Sequence, residues 1–185
     1  MSLMNIYLIG YRCSGKTTVG KSLAETLGWF FIDLDSEFVR QIRTPISEFV
    51  AQHGWDRFRE KEHHILKRIC AKTRHVVATG GGVVTDHRNT QIMQGSGTIV
   101  WLKASIASIK QRILNDHTTD TLRPALTSDG TVNEIDELLA ERTPLYATAA
   151  DLSIETDNYD VIKISDRIAK QLEESQGLAF IKSMK

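Results

Sequence analysis

The sequence predicts an α/β protein, a parallel sheet with helices on both faces. Two observations carry this. Short apolar runs alternate along the chain with amphipathic helical stretches. Between the first such run and the first helix lies Gly10-Tyr11-Arg12-Cys13-Ser14-Gly15-Lys16-Thr17, with the spacing G-x-x-x-x-G-K-[ST] of a phosphate-binding loop.

The elements follow in order. Residues 5–9 read as a buried strand, because Ile6-Tyr7-Leu8-Ile9 is an unbroken apolar run. Residues 16–27 read as a helix with Val19, Leu23, Ala24 and Leu27 on one face. Further strands are expected at 29–33, 76–79, 98–102 and 151–154. Helices are expected at 36–42, 46–53, 56–72, 86–94, 106–115, 132–147 and 159–174. About 40 residues separate the second and third strands, too many for a plain crossover. A helical substrate-binding subdomain is therefore expected at about 34–62, with Phe38, Ile46, Phe49, Val50 and Phe58 as a small apolar cluster. Residues 115–131 are polar, turn-prone and aperiodic. So long a loop in a compact domain is either functional or disordered, and in a phosphoryl-transfer enzyme its functional form is a lid.

Bulk properties narrow the class. At 185 residues the chain suits one domain, 1–185, and needs no covalent staples. A formal net charge of 0 and a pI of about 7.0 argue against a nucleic-acid partner bound through bulk charge. Cys13 and Cys70 form no Cys-x-x-Cys pair, so thiols and a reducing compartment are expected. There is no apolar run long enough for a membrane span and no basic-then-apolar leader, so the expectation is a cytoplasmic protein with no membrane partner. Monomer is the default, since no dimer-forming element stands out.

The glycine loop has a stated chemistry. The backbone N–H groups of Cys13, Ser14, Gly15, Lys16, Thr17 and Thr18 would form an anion nest at the helix N-terminus. Lys16 would reach the β/γ-phosphates, and Thr17 would offer its hydroxyl to Mg²⁺. No guanine-reading Asn-Lys-x-Asp is present, so other polar residues must define the acceptor. Asp33-Leu34-Asp35 ends the second strand, where ligands gather in open α/β sheets. Read as extended chain, it points both aspartates the same way, one toward a hydrated Mg²⁺ and one toward a substrate hydroxyl. Helix capping by Asp35 or Ser36 would account for one of the two but not the pair.

Arg59 and Glu62 share a helix face. Spacing alone leaves two readings: a solvated surface pair, or a glutamate orienting a guanidinium toward a carboxylate. Thr79-Gly80-Gly81-Gly82 asks for close backbone approach or positive φ, unless it is a flexible turn. Arg123-Pro124 lies in the expected lid, where an arginine would close over the transferring phosphoryl group. Arg142, on the last helix before the fifth strand, is either a surface charge or a second clamp. His63 and His64 are adjacent and fit no metal spacing, so surface or structural roles are expected.

As an ordered set these residues resemble the shikimate kinase family. The match runs from the glycine loop through Asp33-x-Asp35, Phe58-Arg59-x-x-Glu62, Gly80-Gly81-Gly82 and Arg123-Pro124 to Arg142-x-Pro144-x-Tyr146. The resemblance implies a P-loop NTPase fold of the nucleoside-monophosphate-kinase type, with five parallel strands in the order 2-3-1-4-5. It implies ATP and Mg²⁺ as cofactors and shikimate as acceptor, phosphorylated at its 3-hydroxyl on the way to chorismate and the aromatic amino acids. Carried over by position, Thr17 binds Mg²⁺ directly and Asp33 binds it through water. Asp35 holds the reacting hydroxyl. Arg59, Gly80, Gly81, Gly82 and Arg142 hold shikimate, and Glu62 supports Arg59. Lys16 and Arg123 stabilise the transferred group, and Arg112 stacks on adenine. The chain departs from the family where Trp55 follows Gly54, where Phe38-Val39 follow the second aspartate, and in a longer stretch between Arg112 and Arg123.

Overall fold

Strand β1 (Asn5–Ile9) is buried along its whole length, as a strand covered on both faces must be. It forms the middle of a sheet with β2 (Phe30–Asp33), β3 (His75–Ala78), β4 (Gly97–Lys103) and β5 (Leu152–Glu155). All neighbours pair in parallel, in the order β2-β3-β1-β4-β5, as expected. The computed structural model describes residues 4–115, 135–157 and 159–176. The helices are α1 (Lys16–Leu27), α2 (Leu34–Ile42), α3 (Ile46–Cys70), α4 (His87–Gln94), α5 (Ile106–Asn115), α6 (Ile135–Ala149) and α7 (Val161–Gln176). A short 3₁₀ turn, Val83–Thr85, was not expected.

Alternation along β1 divides the core. Ile6 and Leu8 pack with Val19 and Leu23 of α1 and Ile164, Ile168 and Leu172 of α7. Tyr7 and Ile9 point the other way, into a cluster with Leu34, Phe38, Ile65, Leu66, Ile69, Met93 and Tyr146. Each such side chain contributes roughly 1.5–3 kcal/mol by leaving water. The expected phenylalanine cluster exists, with Phe38 centred 4.9 Å from Phe58 and 5.2 Å from Phe49. It is not a separate small core, however. It is continuous with the sheet face carrying Tyr7 and Ile9, so α2 and the start of α3 are bolted to the sheet.

Two local features differ from expectation. The N–H of Trp29 donates to Ala24 O, closing the end of α1 behind Gly28, so the second strand starts at Phe30. The break expected between helices 46–53 and 56–72 is present within α3, where Gly54 leaves helical backbone (φ 78°, ψ 167°). Asp33 rather than Asp35 or Ser36 caps α2: its Oδ1 accepts from the Ser36 N–H at 3.0 Å. Asp35 therefore lies in the first turn of a helix and not on extended chain.

At the amino end of β1 a buried network ties three elements. Asn5 Nδ2 donates to Tyr7 Oη, which lies 2.7 Å from Ser96 Oγ and donates to Cys70 Sγ at 3.2 Å. Burial, the largest influence, pushes the Tyr7 phenol well above its ordinary value. Cys70 and Cys13 take part in no disulfide. His63 Nδ1 donates to Asn89 Oδ1 and His64 Nδ1 donates to Glu60 O, the structural roles expected.

Gly97 pairs with Asn5 across β4 and β1. A Cβ at Gly97 would stand 2.1 Å from Asn5 O, a backbone atom that no side-chain rotation removes. Gly97→Ala should cost about 3 kcal/mol, the upper end for overpacking. Gly95→Ala, whose nearest contact would be an ordinary 3.4 Å, should stay within about 1 kcal/mol. Urea unfolding of both variants checks this, and equal midpoints would contradict it.

Candidate active site

The loop between β1 and α1 is shaped for an anion. Gly15 takes a left-handed φ of 96° at the N-cap position and supplies no side-chain cap, leaving the first N–H groups of α1 to a ligand. Cys13 is also left-handed, at φ 59°. The buried Lys16 Nζ donates to the carbonyls of Gly10 and Tyr11, each at 2.7 Å, so the lysine lies along the loop. Thr17 Oγ1 donates to Asp33 Oδ2 at 2.7 Å. The two residues expected to serve a metal are thus in direct contact.

Two clefts open at the carboxyl edge of the sheet. The larger is lined by residues 13–18 of the loop, by Asp33 and Asp35, and on the far side by Arg112, Thr156 and Tyr159. Arg112 Nη1 donates to Cys13 O at 3.1 Å and Nη2 to Thr156 O at 3.2 Å. It clamps the glycine loop to the segment after β5 while forming part of the cleft wall.

The second cleft is lined by Tyr11, Arg12, Asp35, Ile46, Trp55, Phe58, Arg59, Glu62, Gly80, Gly81, Gly82 and Arg142. Arg59 Nη1 donates to Glu62 Oε2 at 2.7 Å. Its guanidinium stacks over Phe58 and Trp55, 5.1 and 5.6 Å from the ring centres. Glu62 is 2 % exposed, so this is not a solvated surface pair. The glycine run also resolves. None of the three has positive φ. A Cβ at Gly82 would come within 2.1 Å of Arg59 Nη2, and one at Gly80 within 2.7 Å of Glu62 Oε1 and 3.2 Å of Asp35 Oδ1. Close approach, not backbone freedom, requires glycine here. Tyr146 Oη donates to Gly81 O, and Arg142, one turn earlier on α6, is buried beside it. Arg142 Nε and Glu62 Oε1 are buried with no hydrogen-bond partner among the described residues.

The electrostatics follow from burial. Removal from water raises the Glu62 carboxyl above its ordinary value; Arg59 opposes this without overcoming it, and the nearby Asp35 adds to it. Burial likewise raises the Tyr146 phenol, against the lowering influence of Arg142. Asp35 lines both clefts, and among the described residues it is the one charged side chain that does so.

The two clefts together are lined by every described candidate site residue; Arg123 and residues 116–131 of the expected lid lie outside the described residues. Sequence reasoning missed Tyr11, Arg12 and Trp55 as parts of the acceptor cleft. Helical spacing offered a signal for one of them, since Trp55 precedes Arg59 by four. Arg12, a large cation in a loop of small residues, gave a compositional one.

Comparison with known proteins agrees with this geometry. The family model for shikimate kinase matches residues 12–173. Shikimate kinase 2 of Yersinia enterocolitica is 41% identical over 145 residues, covering 78% of this chain and 82% of that protein. Shikimate kinase of Thermodesulfovibrio yellowstonii is 38% identical over 171 residues, covering 92% and 96%. The solved structure of shikimate kinase from Acinetobacter baumannii in complex with shikimate superposes with a TM-score of 0.87 at 32% identity, covering 94% of this chain and 95% of that one. With the glycine loop, the paired clefts and these relatives in agreement, the chain belongs to the shikimate kinase family.

Proposed function

We infer that this enzyme transfers the γ-phosphoryl group of ATP to the 3-hydroxyl of shikimate, giving shikimate 3-phosphate for aromatic amino acid biosynthesis. The observation that carries the reading is Asp35, whose carboxylate is shared by a phosphate-binding cleft and a guanidinium-lined cleft. An acceptor hydroxyl placed on Asp35 faces the loop that holds the donor. Asp35 takes its proton as the new O–P bond forms. Arg59 and Arg142 hold the shikimate carboxylate, aided by residues 80–82, whose backbone borders the same cleft. Glu62 fixes the direction of the Arg59 fork.

On the donor side the N–H groups of residues 13–18 cradle the phosphates and Lys16 offsets their charge. Thr17 Oγ1 and Asp33 Oδ2, 2.7 Å apart, are hard oxygen donors at the mouth of this cradle and fit Mg²⁺, which takes few protein ligands and completes its shell with water and phosphate oxygens. When bound there, Mg²⁺ would neutralise charge on the β- and γ-oxygens. Arg112 and Tyr159 wall the base. The segment 34–62 serves as the substrate-binding subdomain, and residues 115–131 as a lid that carries Arg123 over the reacting group. A cytoplasmic monomer without nucleic-acid or membrane partners completes the proposal.

Three outcomes test this reading. ADP release measured in parallel with shikimate, gluconate and nucleoside monophosphates should depend on shikimate; turnover with another acceptor alone would refute the assignment. Lys16→Met should lower kcat by on the order of 10²–10³-fold, as loss of one transition-state charge partner does, and near-normal kcat would remove its assigned role. Glu62 gives a pH signature. Its raised carboxyl means that the folded state holds the proton more tightly than the unfolded chain. That stabilisation is present below the unfolded value and is lost as pH rises through the folded one. In urea unfolding between about pH 4 and pH 8, the stability of the wild type minus that of Glu62→Gln should therefore fall as pH rises, by at most about 1.4 kcal/mol per pH unit. A difference that grows with pH would mean that Arg59 outweighs burial.

A further inference from the structure

The donor and acceptor clefts meet at a shared wall. Among the described residues, Asp35 and Ile46 are the two that line both. Asp35 supplies the polar part of that wall and Ile46 the apolar part. Ile46 is the first residue of α3, directly after Pro45, whose carbonyl accepts the Phe49 N–H at 2.9 Å. It is 4 % exposed and belongs to the apolar cluster that holds Phe38, Phe49 and Phe58. A β-branched side chain in a helix is largely confined to one χ1 rotamer. Packing and its own stiffness thus both hold Ile46 in place where the clefts join.

A carboxylate set between donor and acceptor takes a proton from whichever hydroxyl reaches it. Water is the competing nucleophile. In its attack the bond from the γ-phosphorus to the ADP oxygen breaks and the bond from the water oxygen to phosphorus forms. One water proton passes to Asp35, and the products are ADP and inorganic phosphate. Nothing in the carboxylate itself distinguishes water from an alcohol. The other half of the shared wall does. An ordered water needs two to four polar partners, and Ile46 offers none. An acceptor held elsewhere through its carboxylate, by Arg59 and Arg142, does not depend on such partners at the junction. We propose that Ile46 selects the nucleophile: it keeps the junction apolar beside Asp35, excludes attacking water and reserves the γ-phosphoryl group for the acceptor hydroxyl. This rests on the acceptor reading above.

The test compares two rates at saturating ATP in wild type, Ile46→Ala and Ile46→Val. One is inorganic phosphate release without shikimate, and the other is shikimate 3-phosphate formation at saturating shikimate. Ile46→Ala should raise the first relative to the second by about tenfold or more. Ile46→Val, a milder truncation, should move the ratio the same way by about threefold, and it decides the question if the alanine variant does not fold. Loss of packing alone slows both reactions together and leaves their ratio where it was. A ratio that stays at the wild-type value in the folded variants, or falls, would therefore overturn the proposal while leaving the acceptor reading intact. A wild type that forms no shikimate 3-phosphate would overturn the acceptor reading itself, and this inference with it.

Discussion

The carboxylate of Asp33 does two jobs with its two oxygens. One accepts the Thr17 hydroxyl at 2.7 Å, and the other accepts the Ser36 N–H at 3.0 Å. The first bond joins β2 to the start of α1; the second starts α2. The glycine loop and the first turn of α2 are thereby held by one side chain, and Asp35 is placed relative to both. Had α2 begun two residues later, Asp35 would have continued a strand, with a different direction and no helix N-terminus beneath it. The acceptor-side carboxylate is therefore positioned through the donor-side one. Each half of the site depends on the other for its geometry.

The second constraint is desolvation. Breaking a buried ion pair by removing one partner is costly, whereas the intact pair adds little net stability because both charges have left water. Arg59 and Glu62 are thus poor evidence for stability and better evidence for orientation. The guanidinium is held from below by Glu62, from the side by Phe58 and Trp55, and from above by a glycine run that leaves no room for a Cβ. Four separate contacts determine where one fork points. Tyr146 fixes Gly81 from the other side and shares a helix face with Arg142. The walls of the cleft thus hold one another in place.

Much of this was legible in the sequence, for physical reasons that differ by residue. The phosphate loop was legible because strand, glycines and helix are contiguous, and local geometry dictates the result. The inner strands β1, β3 and β4 were legible because burial on both faces writes an apolar run. The Arg59–Glu62 pair was not settled by spacing, because a surface pair and a buried one share the same separation of three; exposure decides, and exposure is a tertiary property. Asp35 was expected in the right place for a wrong local reason, since either aspartate or Ser36 can cap a helix and only the fold selects Asp33. Arg12 was hidden by its own motif. The loop signature leaves its third position unspecified, and that position faces the neighbouring cleft.

The four arginines of the described site show how one residue type is divided among tasks. Arg112 is committed to backbone carbonyls of Cys13 and Thr156, so it ties the glycine loop to the segment after β5. Arg59 is committed to Glu62, which leaves it one edge for a ligand. Arg142 keeps a buried Nε without a partner among the described residues, a group whose desolvation a carboxylate would offset. Arg12 alone of the four comes from the loop that carries the phosphates. Lys16 lines the donor cleft and Arg12, of the same loop, lines the acceptor cleft, with Asp35 of α2 bordering both, so one loop brings a cation to each side of that carboxylate.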